Sequence, residues 1–409
     1  MTTPPSTPPG IPPRIPSTTA GDGTAPHVPA PAPSPDRPPL VTRQLLLRFW
    51  TVIGASASFF LLLSVVPLYA ERGGGDAGLA TGALMFATVG GELATPRLVA
   101  RYGYRTALAA GLVLLGAPAL VLTAGDGMAW IVAMCLLRGL GFALTVVAGG
   151  ALTASLIPAA RRGEGLALAG IVSGVPSLVG LPLGVWLAAH IGFTPVCVAG
   201  GLAALAAVVV VPGLPGREPS AARDAGVGVV AGLRDGALAR PTVVFATTAL
   251  GTGILVTFLP VAVPASLSAL VTIALFAQPA TSTVARWFAG RYGDRHDPAR
   301  LVLPGLLASA AGLLLTAATG SPAAVLAGVT LFGAGFGVAQ NATLTLMYAR
   351  VPESGYGTVS ALWNVAYDGG MGVGALAFGV AAAHTGYPAA FALTAAVMLV
   401  ALAPALRDR

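Results

Sequence analysis

The sequence predicts an all-α polytopic membrane protein of 12 transmembrane helices, arranged as two six-helix pseudo-symmetric bundles. Three observations carry that expectation: a scarcity of charge, a succession of apolar segments of spanning length, and an internal duplication. Of the 409 residues, 55% are hydrophobic and only 9% charged, with a mean hydropathy of +0.82. A soluble domain carries about 25% charged residues, and a single buried core does not account for so large a deficit.

A transmembrane helix needs about 20 predominantly apolar residues. Reading between the Arg, Gly and Pro punctuation gives segments at Leu45–Tyr69, Gly78–Val99, Thr106–Ala124, Met128–Ile157, Gly165–Ala189 and Pro195–Val211. A second set follows at Pro241–Val261, Ser266–Ala289, Leu301–Thr319, Ala323–Tyr348, Thr358–Ala383 and Pro388–Leu406. The expected organisation is a disordered cytoplasmic Pro-rich tail over 1–42, an N-terminal bundle over 43–211, a cytoplasmic linker over 212–240 and a C-terminal bundle over 241–409. The tail lacks the basic start and apolar centre of a signal peptide.

All 22 basic residues are Arg, and their placement predicts orientation. Twelve spans leave both termini on one side. With that side cytoplasmic, Arg97, Arg101, Arg105, Arg161, Arg162, Arg286, Arg291, Arg295, Arg300 and Arg350 fall at or near inner ends, as do Arg217, Arg223, Arg234 and Arg240 of the linker. Only Arg72 falls outside, which is the bias of the positive-inside rule. The net charge of +7 therefore points to membrane topology. Single Arg residues between apolar runs do not form a nucleic-acid footprint. Cys135 and Cys197 sit inside apolar segments, with neither a disulfide framework nor metal-ligand spacing.

The two halves repeat at an offset of 194 residues. "GLGF" at Gly139–Phe142 returns as "GAGF" at Gly333–Phe336, and "HIGF" at His190–Phe193 returns as "HTGY" at His384–Tyr387. Gly111 falls on Gly305 and Gly180 on Gly374. Parallel repeats of this kind belong to transporters that rock one half against the other around a midplane site.

Ionisable residues within spans are costly and are functional candidates by default. Arg138 enters span 4 by about 15 Å at helical rise, and its repeat partner is Phe332. It is expected either to bias a nearby carboxylate or to bind an anionic substrate; the alternative is capture by neighbouring helix carbonyls. Asp368 lies at similar depth in span 11, in "ALWNVAYDGG". Asn364 one turn earlier and the adjacent Tyr367 are expected to share its polar face. Burial disfavours a charged carboxyl and a neighbouring guanidinium favours it, so Asp368 is a candidate proton carrier; the alternative is an interhelical hydrogen bond. Glu92, near the inner end of span 2, falls opposite Arg286 of span 8 at the repeat offset, which suggests a gate or an ion pair between halves; the alternative is a solvated interfacial charge.

Gln340, Asn341 and Thr345 read as a polar strip on span 10, with Tyr348 a turn further on. Such amides would orient a substrate while Phe142, Phe336 and Trp363 supply apolar walls. Ser56, Ser58 and Thr252 are weaker candidates, because hydroxyls in helices bond their own carbonyls. Gly369, Gly370, Gly372 and Gly374 suit close helix packing. Pro176 and Pro182 are expected to kink span 5. With neither a Walker Lys nor a strand–helix context, no phosphate loop is formed, so transport is expected to use an ion gradient or to be passive, with no cofactor.

The loop "GRYGDRHDPAR" (Gly290–Arg300) resembles the signature loop of the major facilitator superfamily, and "PRLVARYGYR" (Pro96–Arg105) is its degenerate first-half copy. The latter keeps Arg101, Gly103 and Arg105 but has Pro96 and Ala100 where the family has Gly and Asp. By resemblance, Arg101, Gly103, Arg105, Gly290, Asp294, Arg295 and Arg286 form the gating loops, with an Asp lock complete only at Asp294. "LLRGLGFAL" resembles the family's membrane Arg and Gly-rich run, and "GVPSLVGLPLG" (Gly174–Gly184) loosely resembles the Gly/Pro motif of drug/proton antiporters. The resemblance covers Leu45 to Leu406, and "GFGVAQNATLTLMYARVP" is similar to stretches of actinobacterial exporters. It implies a cavity lined by spans 1, 4, 7 and 10.

The expected function is secondary active transport by alternating access: proton-coupled efflux of a drug-like compound or secondary metabolite by a monomer in the plasma membrane. Asp368, Arg138 and Glu92 are the proton-coupling candidates, and the substrate-binding candidates are Gln340, Asn341, Thr345, Asn364, Tyr367, Trp363, Phe142 and Phe336. Proton-coupled uptake of a sugar or other nutrient is the alternative. A non-transporting sensor or scaffold would need a folded extramembrane domain, and an enzyme a nucleophile–base or metal constellation; the sequence offers neither.

Overall fold

The structure, a computed structural model, describes residues 40–158, 161–216, 234–293, 295–352 and 355–407. The expected tail (1–42) thus lies outside the described residues up to residue 39, as do residues 217–233 of the expected linker and Asp294.

Thirteen α-helices are described: α1 Arg43–Leu63, α2 Val65–Arg72, α3 Ala77–Val121, α4 Met128–Leu156, α5 Arg162–Ile191, α6 Phe193–Val208, α7 Gly236–Ala262, α8 Ser268–Gly293, α9 Ala299–Thr316, α10 Pro322–Ala349, α11 Tyr356–Thr385, α12 Tyr387–Met398 and α13 Leu402–Arg407. Helices α1 and α2 form one crossing, broken at Ser64 ahead of Pro67. The last crossing likewise runs through α12 and α13.

Among the described residues eleven segments are long and apolar enough to cross a membrane, yet they make twelve crossings. A 45-residue helix such as α3 would be about 68 Å long at 1.5 Å per residue, more than twice the ~30 Å hydrocarbon core. It breaks at Gly103, whose φ of 82° and ψ of 168° belong to a region that is essentially Gly-only. Spans 2 and 3 are therefore the two limbs of α3, and the conformation of Gly103 explains why that loop requires Gly.

The duplication reappears in three dimensions. Helices α4 and α10, α5 and α11, and α6 and α12 begin at positions 194 residues apart. The repeated His-x-Gly-aromatic motifs are the turns before α6 and α12, where Gly192 (φ 87°) and Gly386 (φ 77°) reverse the chain. The repeated Gly-x-Gly of span 4 is a packing device. A Cβ on Gly139 would strike the carbonyl of Leu84 and one on Gly333 that of Gln278, again a pair at the repeat offset. Gly141 abuts Gly111, and Gly335 abuts Gly305, in the same way. Without a hydrophobic force between helices in lipid, such close backbone approach supplies the packing.

Polar side chains cap the helix ends where backbone N–H groups lack partners. Asp76 accepts from Leu79 N at 2.9 Å, and Asp235 accepts from Ala237 N at 2.9 Å. We call the side where α1 begins the near face. The Arg105 guanidinium donates to the Leu214 carbonyl there, Arg350 to Ala237 O at 2.6 Å, and Arg240 to Arg407 O at 3.4 Å. Arg72 packs over Phe193 at 4.9 Å on the opposite, far face.

The two halves meet along α3 and α11, which run antiparallel. On the far side Tyr387 donates to Glu71 Oε1 at 3.4 Å, and Gly379 sits beside Asp76. Further in, Gly78 packs on the Ala375 carbonyl, Gly82 on Leu376 and Gly372 on Met85. Thr81 and Thr257 hydroxyls bond at 2.8 Å across the same seam. Of the Gly-rich run in span 11, Gly372 serves this seam, while Gly370 and Gly374 pack on Ala246 and Leu250 of α7 within their own half.

Candidate functional site

A cavity of about 390 Å³ lies between the halves. Its walls come from α1, α4 and α5 on one side (Ser56, Phe142, Ser173) and from α7, α8, α10 and α11 on the other (Thr252, Arg286, Gln340, Tyr367). A second compartment of about 310 Å³ shares Ser56, Phe142, Val146, Gly170 and Ser173 with it and continues past Thr153 and Arg48 toward the near face. Spans 5, 8 and 11 thus line the cavity together with spans 1, 4, 7 and 10, the set implied by resemblance.

The cavity has aromatic walls in both halves. Phe142 stacks on Phe59 at 3.5 Å between ring centroids. Opposite, Phe336 and Tyr367 flank Phe245 at 6.0 Å each, and Trp363 stacks on Phe245 at 4.5 Å. Trp363 therefore backs the wall without lining it, and its buried indole N–H has no partner.

Polar recognition centres on α8 and α10. The guanidinium of Arg286 donates from Nη1 to Gln340 Oε1 at 3.1 Å. Gln340 keeps the role expected of it, but the strip around it does not form. Asn341 turns toward Gly290 of α8, and Thr345 does not border the cavity. Adjacent helical positions differ by about 100° around the axis, which separates 340 from 341.

The same geometry corrects the polar face expected on α11. Tyr367 borders the cavity, whereas Asp368, one position on, points into the seam and is 6% exposed. Asn364 does not border the cavity. The partner of Asp368 is Glu92 of α3, itself 8% exposed: the two carboxyl groups meet across the halves. Glu92 lies about 23 Å along α3 from Ala77 and Asp368 about 18 Å along α11 from Tyr356. The pair is therefore inside the membrane, in register with the Gly78–Ala375 and Met85–Gly372 contacts. The expected Glu92–Arg286 pair does not form, because Arg286 faces the cavity and Glu92 the seam.

Arg138 also departs from expectation. It is fully buried, and Nη2 donates to the Ser58 carbonyl at 3.2 Å, while Nε and Nη1 have no partner. Its other neighbours are the free Cys135 and Cys197, and it does not border the cavity. This is the helix-carbonyl alternative, inside the N-terminal bundle and apart from Asp368. Ser58 Oγ and Thr252 Oγ1 are likewise buried without a partner, although Thr252, like Ser56, borders the cavity.

Sequence reading missed Arg48 altogether. It enters α1 within two turns of its start, and only its depth of burial marks it. The side chain is 5% exposed, with Nε donating to Gly149 O at 3.0 Å and Thr153 Oγ1 at 3.1 Å, and Nη1 to Thr51 at 2.6 Å. A Cβ at Gly149 would overlap this guanidinium.

The gating-loop residues fall into two groups. Gly103 forms the near-face turn, closed by Tyr104 N donating to Gly216 O at 3.0 Å and by the Arg105–Leu214 bond. Arg101 lies over Tyr102 at 5.2 Å. In the second half, Gly290 abuts Asn341, and Arg295 N bonds Tyr292 O at 3.0 Å. Asp294 lies outside the described residues.

Two similar helical bundles with a cavity between them define an all-α polytopic membrane protein of the secondary-transporter class. The chain belongs to the major facilitator superfamily: residues 48–375 and 242–409 match the description "Major Facilitator Superfamily". No curated protein matches it in sequence. Among solved structures, it is similar to the nucleoside transporter NupG, at 12% identity and a TM-score of 0.70, over 89% of this chain and 98% of that one. It is also similar to a POT family transporter in complex with a thioalcohol-conjugated peptide (12%, TM-score 0.71, 89% and 96%) and to one in complex with 5-aminolevulinic acid (11%, 0.70, 89% and 96%). At these identities the likeness is one of fold.

Proposed function

We propose that the chain is a proton-driven exporter of a small organic molecule, a monomer in the plasma membrane with both termini cytoplasmic. The observation that carries the reading is the Glu92–Asp368 contact in the seam between the halves. A carboxylate has acceptors and no donor, so the two groups bond only while a proton lies between them. Once it leaves, two like charges oppose each other across α3 and α11, and the seam loses a link.

The positive-inside pattern makes the near face cytoplasmic, so the described state, with its cavity running toward Arg48, is the inward-facing one. The proton-bound pair therefore holds the inward-facing state. Release of the proton to the cytoplasm favours separation of the seam and a return to the outward-facing state, in which a new proton is taken up from outside. In this cycle protons move inward, and substrate carried on the return leg moves out. Gly-mediated packing within each half lets the bundles move as rigid bodies.

The test uses inverted vesicles with an imposed pH gradient, and a substrate found by comparing compound accumulation in cells with and without the protein. Asp368→Asn and Glu92→Gln are each expected to abolish gradient-driven accumulation in the vesicles while leaving gradient-free exchange intact. Retained gradient dependence in both variants would overturn the coupling assignment. Substrate leaving the vesicles as protons do would overturn export in favour of the nutrient-uptake reading.

A further inference from the structure

We propose that the cavity takes small organic anions with an aromatic or apolar body, and that Arg286 is the counter-charge that selects them. The proposal deepens the transport reading by naming a substrate class, and it rests on that reading only for the statement that the bound molecule is carried.

The charge asymmetry of the cavity is the first argument. Among the described residues that border it, Arg286 is the one charged side chain; the others are apolar, hydroxyl or amide. The continuation toward the near face adds one more ionisable group, again a guanidinium, that of Arg48. The acids closest to the site, Glu92 and Asp368, are turned into the seam behind Tyr367 and oppose each other there. They are therefore not presented to a ligand. An uncompensated guanidinium in a cavity with low-dielectric walls attracts anions and disfavours cations.

The second argument is orientation. Gln340 accepts one N–H of Arg286 and so anchors one edge of the guanidinium, while its further donors stay available. Their fork matches a carboxylate or phosphate in bidentate geometry. Beside it stand Tyr367 and Phe336, with ring centroids 6.1 Å apart, and across the cavity Phe142. An aromatic or aliphatic body can pack on these faces while its acid group reaches Arg286, the pairing of apolar walls with a few placed polar groups that ligand sites use.

The third argument concerns approach. Arg48 is held rigidly by Thr51, Thr153 and the Gly149 carbonyl, in the space that the glycine leaves open. It sits between the near face and Arg286, one guanidinium from each half along a single path. An anion entering from the near face thus passes one guanidinium before it reaches the other.

The test measures binding by the full-length protein in detergent, without a gradient, so its outcome is independent of the coupling assignment. The probes are 4-phenylbutyrate, 4-phenylbutyramide and 4-phenylbutylamine, which share a body and differ in charge; binding is read by thermal shift and calorimetric titration. The carboxylate is expected to bind about ten- to a hundredfold more tightly than the amide, the range of a charge-assisted hydrogen bond, and the amine weakest. Arg286→Gln should remove the preference, whereas Arg286→Lys, which keeps the charge, should retain part of it and controls for folding. Equal binding of carboxylate and amide, no binding of any probe at millimolar concentration, or an undiminished preference in folded Arg286→Gln would each overturn the proposal. If the preference holds but Asp368→Asn still shows gradient-driven transport, the coupling reading fails and the anion site stands.

Discussion

Single residues here are decided by direction more than by type. Tyr367 and Asp368 are neighbours in sequence, yet one turns to the cavity and the other to the seam between halves. That places a cavity wall and a member of the acid pair on consecutive positions of α11, where movement of one helix is felt by both. Arg138 shows the opposite case, a charge confined inside one bundle with two nitrogens unpaired. Replacing a poorly satisfied buried charge with an apolar side chain of similar size is often neutral or stabilising by about 1–4 kcal/mol. Arg138→Met is therefore expected to keep or raise the thermal unfolding midpoint in detergent. Loss of transport by that folded variant would give the charge a part in coupling that its position does not suggest. The glycines are the least replaceable residues: Gly139→Ala drives a methyl group into the Leu84 carbonyl of the neighbouring span, and overpacking of this kind costs about 1–3 kcal/mol. A midpoint unchanged by Gly139→Ala would refute that packing role.

Among the elements, α3 and α11 form the seam on which the proposed coupling rests. Each presents small residues toward the other, Gly78 and Gly82 on α3 and Gly372 and Ala375 on α11, so the helices lie close enough for Glu92 and Asp368 to meet. The same stretch contains the Thr81–Thr257 contact, which ties α3 to α7 at 2.8 Å. Cysteines at these two positions are expected to form a disulfide under mild oxidation, since their side chains already touch. Because Cys135 and Cys197 are buried, the pair can be read without removing them. Cross-linked protein should lose transport and recover it with reductant. Full activity in the cross-linked form would mean that the seam does not open during transport.

At the scale of the whole molecule, the duplication gives two similar bundles and the function lies in where they differ. Gly139 and Gly333 repeat, as do the turns at Gly192 and Gly386. The ionisable groups do not: Asp368 stands opposite Gly174, Glu92 opposite Arg286, and Arg138 opposite Phe332. Symmetric glycines support a symmetric rocking motion. In the proposed cycle the asymmetric charges put an acid pair in the seam and a guanidinium in the cavity.

Much of this was legible in the sequence because its causes are local or periodic. Span length follows from helical rise and membrane thickness, and the repeat from a constant offset; the positive-φ turns at Gly103, Gly192 and Gly386 fall between expected spans, but their conformations came from the structure. The burial of Glu92, near a span end, came from the structure, while that of Arg138 and Asp368 follows from their place within apolar runs. What these groups touch does not. Partners of a membrane side chain are set by helix rotation and by register between helices far apart in the chain, and a rotation of about 100° per residue exchanges cavity for seam. Tertiary structure alone therefore decided that Glu92 faces an acid, that Arg286 and Arg48 line the path, and that Asn341, Thr345 and Asn364 do not. Sequence determined that charge would be placed inside this membrane protein; packing decided which charges meet.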